Sequence, residues 1–72
     1  MTPLERRATF KAAATIAQTT SGEVARKMGV SYNHLILVLK GERQGSARLE
    51  QAIATFLGLS RKEVFPHSTR EI

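Results

Sequence analysis

Tyr32, Asn33 and His34 stand directly before five consecutive aliphatics, Leu35-Ile36-Leu37-Val38-Leu39. The three polar side chains differ in what they can bond. An Asn amide donates and accepts side by side, so it can pair bidentately with an adenine edge, whereas a Tyr hydroxyl or a His ring nitrogen can reach a phosphate oxygen or a base acceptor. The competing use of such residues is local, as helix caps and surface packing.

Little else in the chain suits bond-making chemistry. There is no Cys and no Asp, the two His are His34 and His67, and no Gly-rich phosphate loop or paired carboxylates in an apolar setting are present. The Ser residues sit where turns and caps need them. The sequence therefore predicts a protein that is not an enzyme and has no metal site, cofactor or small-molecule ligand. Lacking cysteine, it leaves the redox compartment open.

Eleven Lys and Arg stand against six Glu, giving a net charge of +5 and a pI near 10.5. This balance favours a polyanionic partner such as nucleic acid, although many basic surfaces bind none. No stretch approaches the ~20 apolar residues that cross a bilayer, and no apolar run follows Glu5, Arg6 and Arg7, which predicts a soluble, cytoplasmic chain without a membrane partner. With 72 residues the core must be small, so stability depends on good packing or on dimerisation.

The elements that must position these side chains read as five helices in an all-α bundle. Pro3 and Pro66 bracket a single unit, with residues 1–66 as one domain and 67–72 as a flexible tail. Thr2-Pro3-Leu4-Glu5 combines a capping oxygen, a first-turn proline and a first-turn carboxylate, and the Ala-rich run beyond it favours helix to about Gln18. Its Phe10, Ala13, Ala14 and Ala17 stripe is expected in the core, with Ile16 partly covered. Thr19-Thr20-Ser21 supplies caps for a second helix over 22–28. Gly29 suits the left-handed residue ending it, and Ser31 caps a third helix to about Lys40, closed by Gly41. After a polar loop from Glu42 to Gly45, Leu49, Ala52, Ile53, Phe56 and Leu57 follow helical spacing. Ser60-Arg61-Lys62-Glu63 is a capping box for a short fifth helix stopped at Pro66.

Residues 21–40 thus form a helix, a turn with glycine and a second helix. Counted from Ser21, apolar residues at the fourth, eighth, tenth, fifteenth and eighteenth places are Val24, Met28, Val30, Leu35 and Val38, with small Ala25 at the fifth and Gly29 at the ninth. That full set specifies a helix-turn-helix. With "GEVARKMGVSYNHLILVLKGER" followed by "LEQAIATFLGLSRKEVFP", the chain resembles the Cro and phage-repressor-like family, in particular Ner-like regulators, over about residues 8–66. The resemblance implies a lambda-repressor-like five-helix bundle that regulates transcription, its third helix entering the major groove of an operator as a dimer or as paired monomers. Where many members carry a Gln at the start of the second helix, this chain has Ser21 and Gly22.

On that resemblance Tyr32, Asn33 and His34 occupy the turn that meets base edges. Leu37 either rests on a thymine methyl, joins Ile36 in a dimer contact, or packs with Ile36 against a neighbouring helix or the tail. Leu35, Val38 and Leu39 share an inward stripe. Arg26, Lys27, Lys40, Arg43 and Arg48 are the phosphate candidates, with Ser21, Gln44 and Ser46 adding neutral hydrogen bonds to the backbone. Arg6, Arg7, Arg61 and Arg70 carry no positional signal. A competing function is a small interaction module of antitoxin or anti-repressor type, which would use Ile36 and Leu37 as apolar anchors.

Overall fold

A computed structural model describes residues 1–66, and the tail expected over 67–72 lies outside the described residues. The five helices are α1 (Pro3–Ile16), α2 (Ser21–Lys27), α3 (Tyr32–Leu39), α4 (Ala47–Leu57) and α5 (Arg61–Val64), with no strand among the described residues. The fold is all-α, as the sequence predicts.

Local chemistry accounts for most boundaries. Thr2 Oγ1 accepts from the Glu5 amide at 3.1 Å and Glu5 Oε1 accepts from the Thr2 amide at 2.9 Å, closing the expected box. Helix α1 ends earlier than expected because Gln18 turns left-handed, with φ of 59°, and the Thr19 amide returns to the Ala14 carbonyl at 2.9 Å. Thr20 caps α2, so the helix starts at Ser21 rather than at Gly22, and it stops at Lys27. Ser31, Ser46 and Ser60 cap the remaining three helices, and Gly41 and Gly58 take the left-handed conformation that follows α3 and α4.

Helix α1 packs against α2, α3 and α4, while α5 lies against α4. The core centres on Phe10, Leu35, Leu39, Ile53 and Val64, each at most 1% exposed. Phe10 meets Phe56 with ring centroids 5.1 Å apart and planes tilted by 43°. Three expectations change. Ala17, expected in the core, is exposed at the C-cap of α1, where the helix has already ended. Ile16 is 82% exposed, not partly covered, because the buried side of α1 runs through Arg6, Phe10 and Ala14. On α4 the covered side is Leu49, Glu50, Ile53 and Ala54, leaving Ala52, Phe56 and Leu57 half-buried.

That rotation of α4 brings a carboxylate inside. Glu50 is buried, and its Oε1 accepts from Arg61 Nε at 3.0 Å. Arg6 is the second buried charge: Nε donates to the Leu39 carbonyl at 2.9 Å, and Nη1 donates to the carbonyls of Val64 at 3.0 Å and Met1 at 3.1 Å. Its guanidinium carbon lies 4.9 Å from the centre of the Phe65 ring. Burial lowers the Arg6 pKa from its ordinary value, and the nearby charge of Glu50 acts against that.

Candidate nucleic-acid interface

The turn between α2 and α3 is set by Gly29, whose φ is 79°, and by the Val30 amide returning to the Ala25 carbonyl at 3.0 Å. Ser31 Oγ then accepts from the His34 amide at 3.1 Å and starts α3. One face of α3 is fully inward, with Leu35, Val38 and Leu39 all buried. The opposite face presents Asn33, Leu37 and Lys40 at i, i+4 and i+7.

Tyr32, half exposed at 50%, and exposed Asn33 are both reachable in the first turn, whereas His34 is half-buried at the margin. Ile36 packs against the core cluster, so three of the five aliphatics are core and a fourth covers its rim. Leu37 is half-buried on the outward stripe. Its carbonyl accepts from the amides of Glu42 at 2.9 Å and Arg43 at 3.2 Å, which folds the following loop back against the end of α3. Gly45 lets that loop lie close: a Cβ there would stand 3.1 Å from Val38 Cγ1.

Between residues 21 and 48 the chain has five cations, Arg26, Lys27, Lys40, Arg43 and Arg48, against two carboxylates, Glu23 and Glu42. Arg26 Nη2 bonds both oxygens of Glu23 at 2.7 and 2.9 Å, which holds the Glu23 carboxyl below its ordinary pKa. Lys40 Nζ lies 3.6 Å from Glu42 Oε2. Lys27, Arg43 and Arg48 are exposed and have no ion pair among the described residues. They are the cations left to meet an external anion.

The neutral candidates divide. Ser46 Oγ accepts from the Leu49 amide at 3.1 Å as the cap of α4, leaving its hydroxyl proton for an acceptor outside. Ser21 is half-buried in the first turn of α2. Gln44 and Arg43 are exposed, and both line an open depression of about 650 Å³ with Arg6, Val38, Glu50 and Phe65.

Arg6 and Arg61, which carry no positional signal in the sequence, are structural. Arg7, which carries no positional signal in the sequence, and Lys11 share a groove with Lys40. Their i, i+4 spacing on α1 was the available signal, but nothing local connects them to a residue of α3. Among the described residues no three His, Cys, Asp or Glu gather as a metal site, and no helix is long and apolar enough to cross a membrane. Compared with known proteins, the chain matches no family model, no curated sequence and no solved structure.

Proposed function

We propose that this protein is a sequence-specific double-stranded DNA-binding regulator of transcription, a small repressor of the phage or mobile-element kind, with α3 as its reading helix. The observation that carries this is the outward stripe Asn33-Leu37-Lys40 beside half-exposed Tyr32, on a helix without carboxylates whose other face is locked in the core. An α-helix fits the ~12 Å major groove, where an Asn amide can address adenine and an aliphatic side chain can meet a thymine methyl.

Lys40, Arg43, Arg48 and Lys27 supply charge for the phosphates, and Gln44 and Ser46 add neutral hydrogen bonds. These contacts set position, while Asn33, Tyr32 and Leu37 set sequence preference. Two copies on half-sites about 34–36 Å apart would read a symmetric operator, either as a dimer or side by side. Repression follows from occupying a promoter in cytoplasmic DNA, and no catalytic step is required. The competing role as an apolar interaction module loses one of its anchors, because Ile36 is packed on the core.

Selection of bound duplexes from a random library, followed by salt titration of the winner, tests this directly. An enriched motif is expected, with affinity falling by about 0.9 log units per log unit of salt for each phosphate neutralised. Absence of any enriched duplex at low salt would refute it.

A further inference from the structure

We infer that Arg7 and Lys11 of α1 join Lys40, the C-cap residue of α3, in a second backbone-binding site, which grips a DNA phosphate flanking the segment read by Asn33. The assignment rests on the DNA-binding reading above and extends it to a helix outside the helix-turn-helix. Arg7, Lys11 and Lys40 are all exposed, and with Pro3, Leu4, Ala8 and Glu42 they line one open groove of about 520 Å³. Cations from two separate helices thus converge on one place.

The charge is unbalanced. Among the described residues three cations face a single carboxylate, Glu42, whose oxygen lies 3.6 Å from Lys40 Nζ, while Pro3, Leu4 and Ala8 add no charge. Arg7 and Lys11 sit one turn apart on α1, on the flank next to its buried side of Arg6, Phe10 and Ala14, and neither has an ion pair among the described residues. An external anion is the partner that this surplus can take.

Position selects the anion. Lys40 belongs to the same outward stripe of α3 as Asn33, seven residues further on, or about 10.5 Å along a helix rising ~1.5 Å per residue. A major groove is ~12 Å wide, so a helix seated in it by its first turn brings its far end towards a sugar-phosphate wall. Arg7 and Lys11 widen that contact beyond the reach of Lys40 alone.

The test compares parent protein with the double variant Arg7→Gln, Lys11→Gln on the selected duplex and on random duplex, across a salt series. Both side chains are exposed, and matching circular-dichroism melts verify that the variant folds as the parent does. The expected result is a salt slope shallower by about one to two units and weaker low-salt binding to both duplexes, with their affinity ratio preserved. Glu42→Gln, which removes the only carboxylate lining the groove among the described residues, should shift binding to both duplexes the opposite way.

A parent that binds DNA and a double variant with the parent's slope would overturn the second site while leaving the regulator reading intact. A changed affinity ratio would overturn the phosphate role as well, because it would mean base contact. If the DNA slope stays the same while an oligoglutamate peptide binds the parent and not the variant, the groove takes an acidic protein segment and this assignment is wrong. A parent that binds no duplex removes both readings together.

Discussion

Arg6 Nε donates to the carbonyl of Leu39 at 2.9 Å, so the first helix holds the C-terminal end of the helix that presents Asn33. The same guanidinium reaches Val64 in α5, joining three elements through one side chain. Arg6 therefore sets where α3 ends relative to the rest of the bundle, although it faces away from the outward stripe.

Replacing Arg6 by Met should keep much of its volume but leave the Leu39 and Val64 carbonyls without their donor. Each buried acceptor left unsatisfied costs about 1–3 kcal/mol, so the loss should amount to roughly 3 kcal/mol in urea unfolding. The neighbouring exposed Arg7→Ala should stay within about 0.5 kcal/mol of the parent. Equal midpoints for the two variants would show that the Arg6 bonds contribute nothing.

Stability should also depend on acid in a defined direction. The Thr2 amide holds the Glu5 carboxyl below its ordinary value of 4.5, and Arg26 does the same for Glu23. Folded values lower than unfolded ones contribute stability that is fully present above pH 4.5 and lost as pH falls through the folded values. Unfolding midpoints should therefore change little on these groups' account from neutral pH to about 5 and drop below ~4.5. The double variant Glu5→Gln, Glu23→Gln should lose part of that drop; an unchanged acid profile would count against both interactions.

On DNA, Asn33→Ala should weaken binding to the selected operator by about 1–3 kcal/mol and barely alter binding to random duplex. Arg43→Ala should weaken both alike and make the salt slope shallower by about one unit. Gel-shift titrations of the two variants side by side separate these roles. An Asn33 variant with the parent's ratio of specific to random affinity would remove this residue from base reading.

Within the core, Ile53→Ala should cost about 2–5 kcal/mol, because Ile53 is fully buried. Leu57→Ala, at a half-buried position of the same helix, should cost less. Thermal melts rank the two, and the reverse order would contradict the observed rotation of α4.

Much of this architecture was legible in the chain because its signals are local. Thr2, Ser31, Ser46 and Ser60 each act within three residues, and Gly29, Gly41 and Gly58 each mark a helix end by their own backbone conformation. The helix-turn-helix spacing likewise spans only two short helices. Arg6 and Glu50 were not legible, since a buried charge and a surface charge look alike until partners from distant segments are in place. Periodicity also favoured Phe56 and Leu57 over Ala54, because size says nothing about which side of α4 receives α5. For the interface, spacing located the outward stripe of α3, but the meeting of Arg7 and Lys11 with Lys40 depends on how α1 crosses the bundle.

The reach of Arg6 has a kinetic side. Its carbonyl partners Leu39 and Val64 lie 33 and 58 residues away along the chain, so these bonds close only after α3 and α5 have docked. Interactions absent from the folding transition state slow unfolding while leaving the folding rate nearly alone. The guanidinium thus acts as a clasp: an Arg6→Met chain should fold about as fast as the parent, yet come apart sooner.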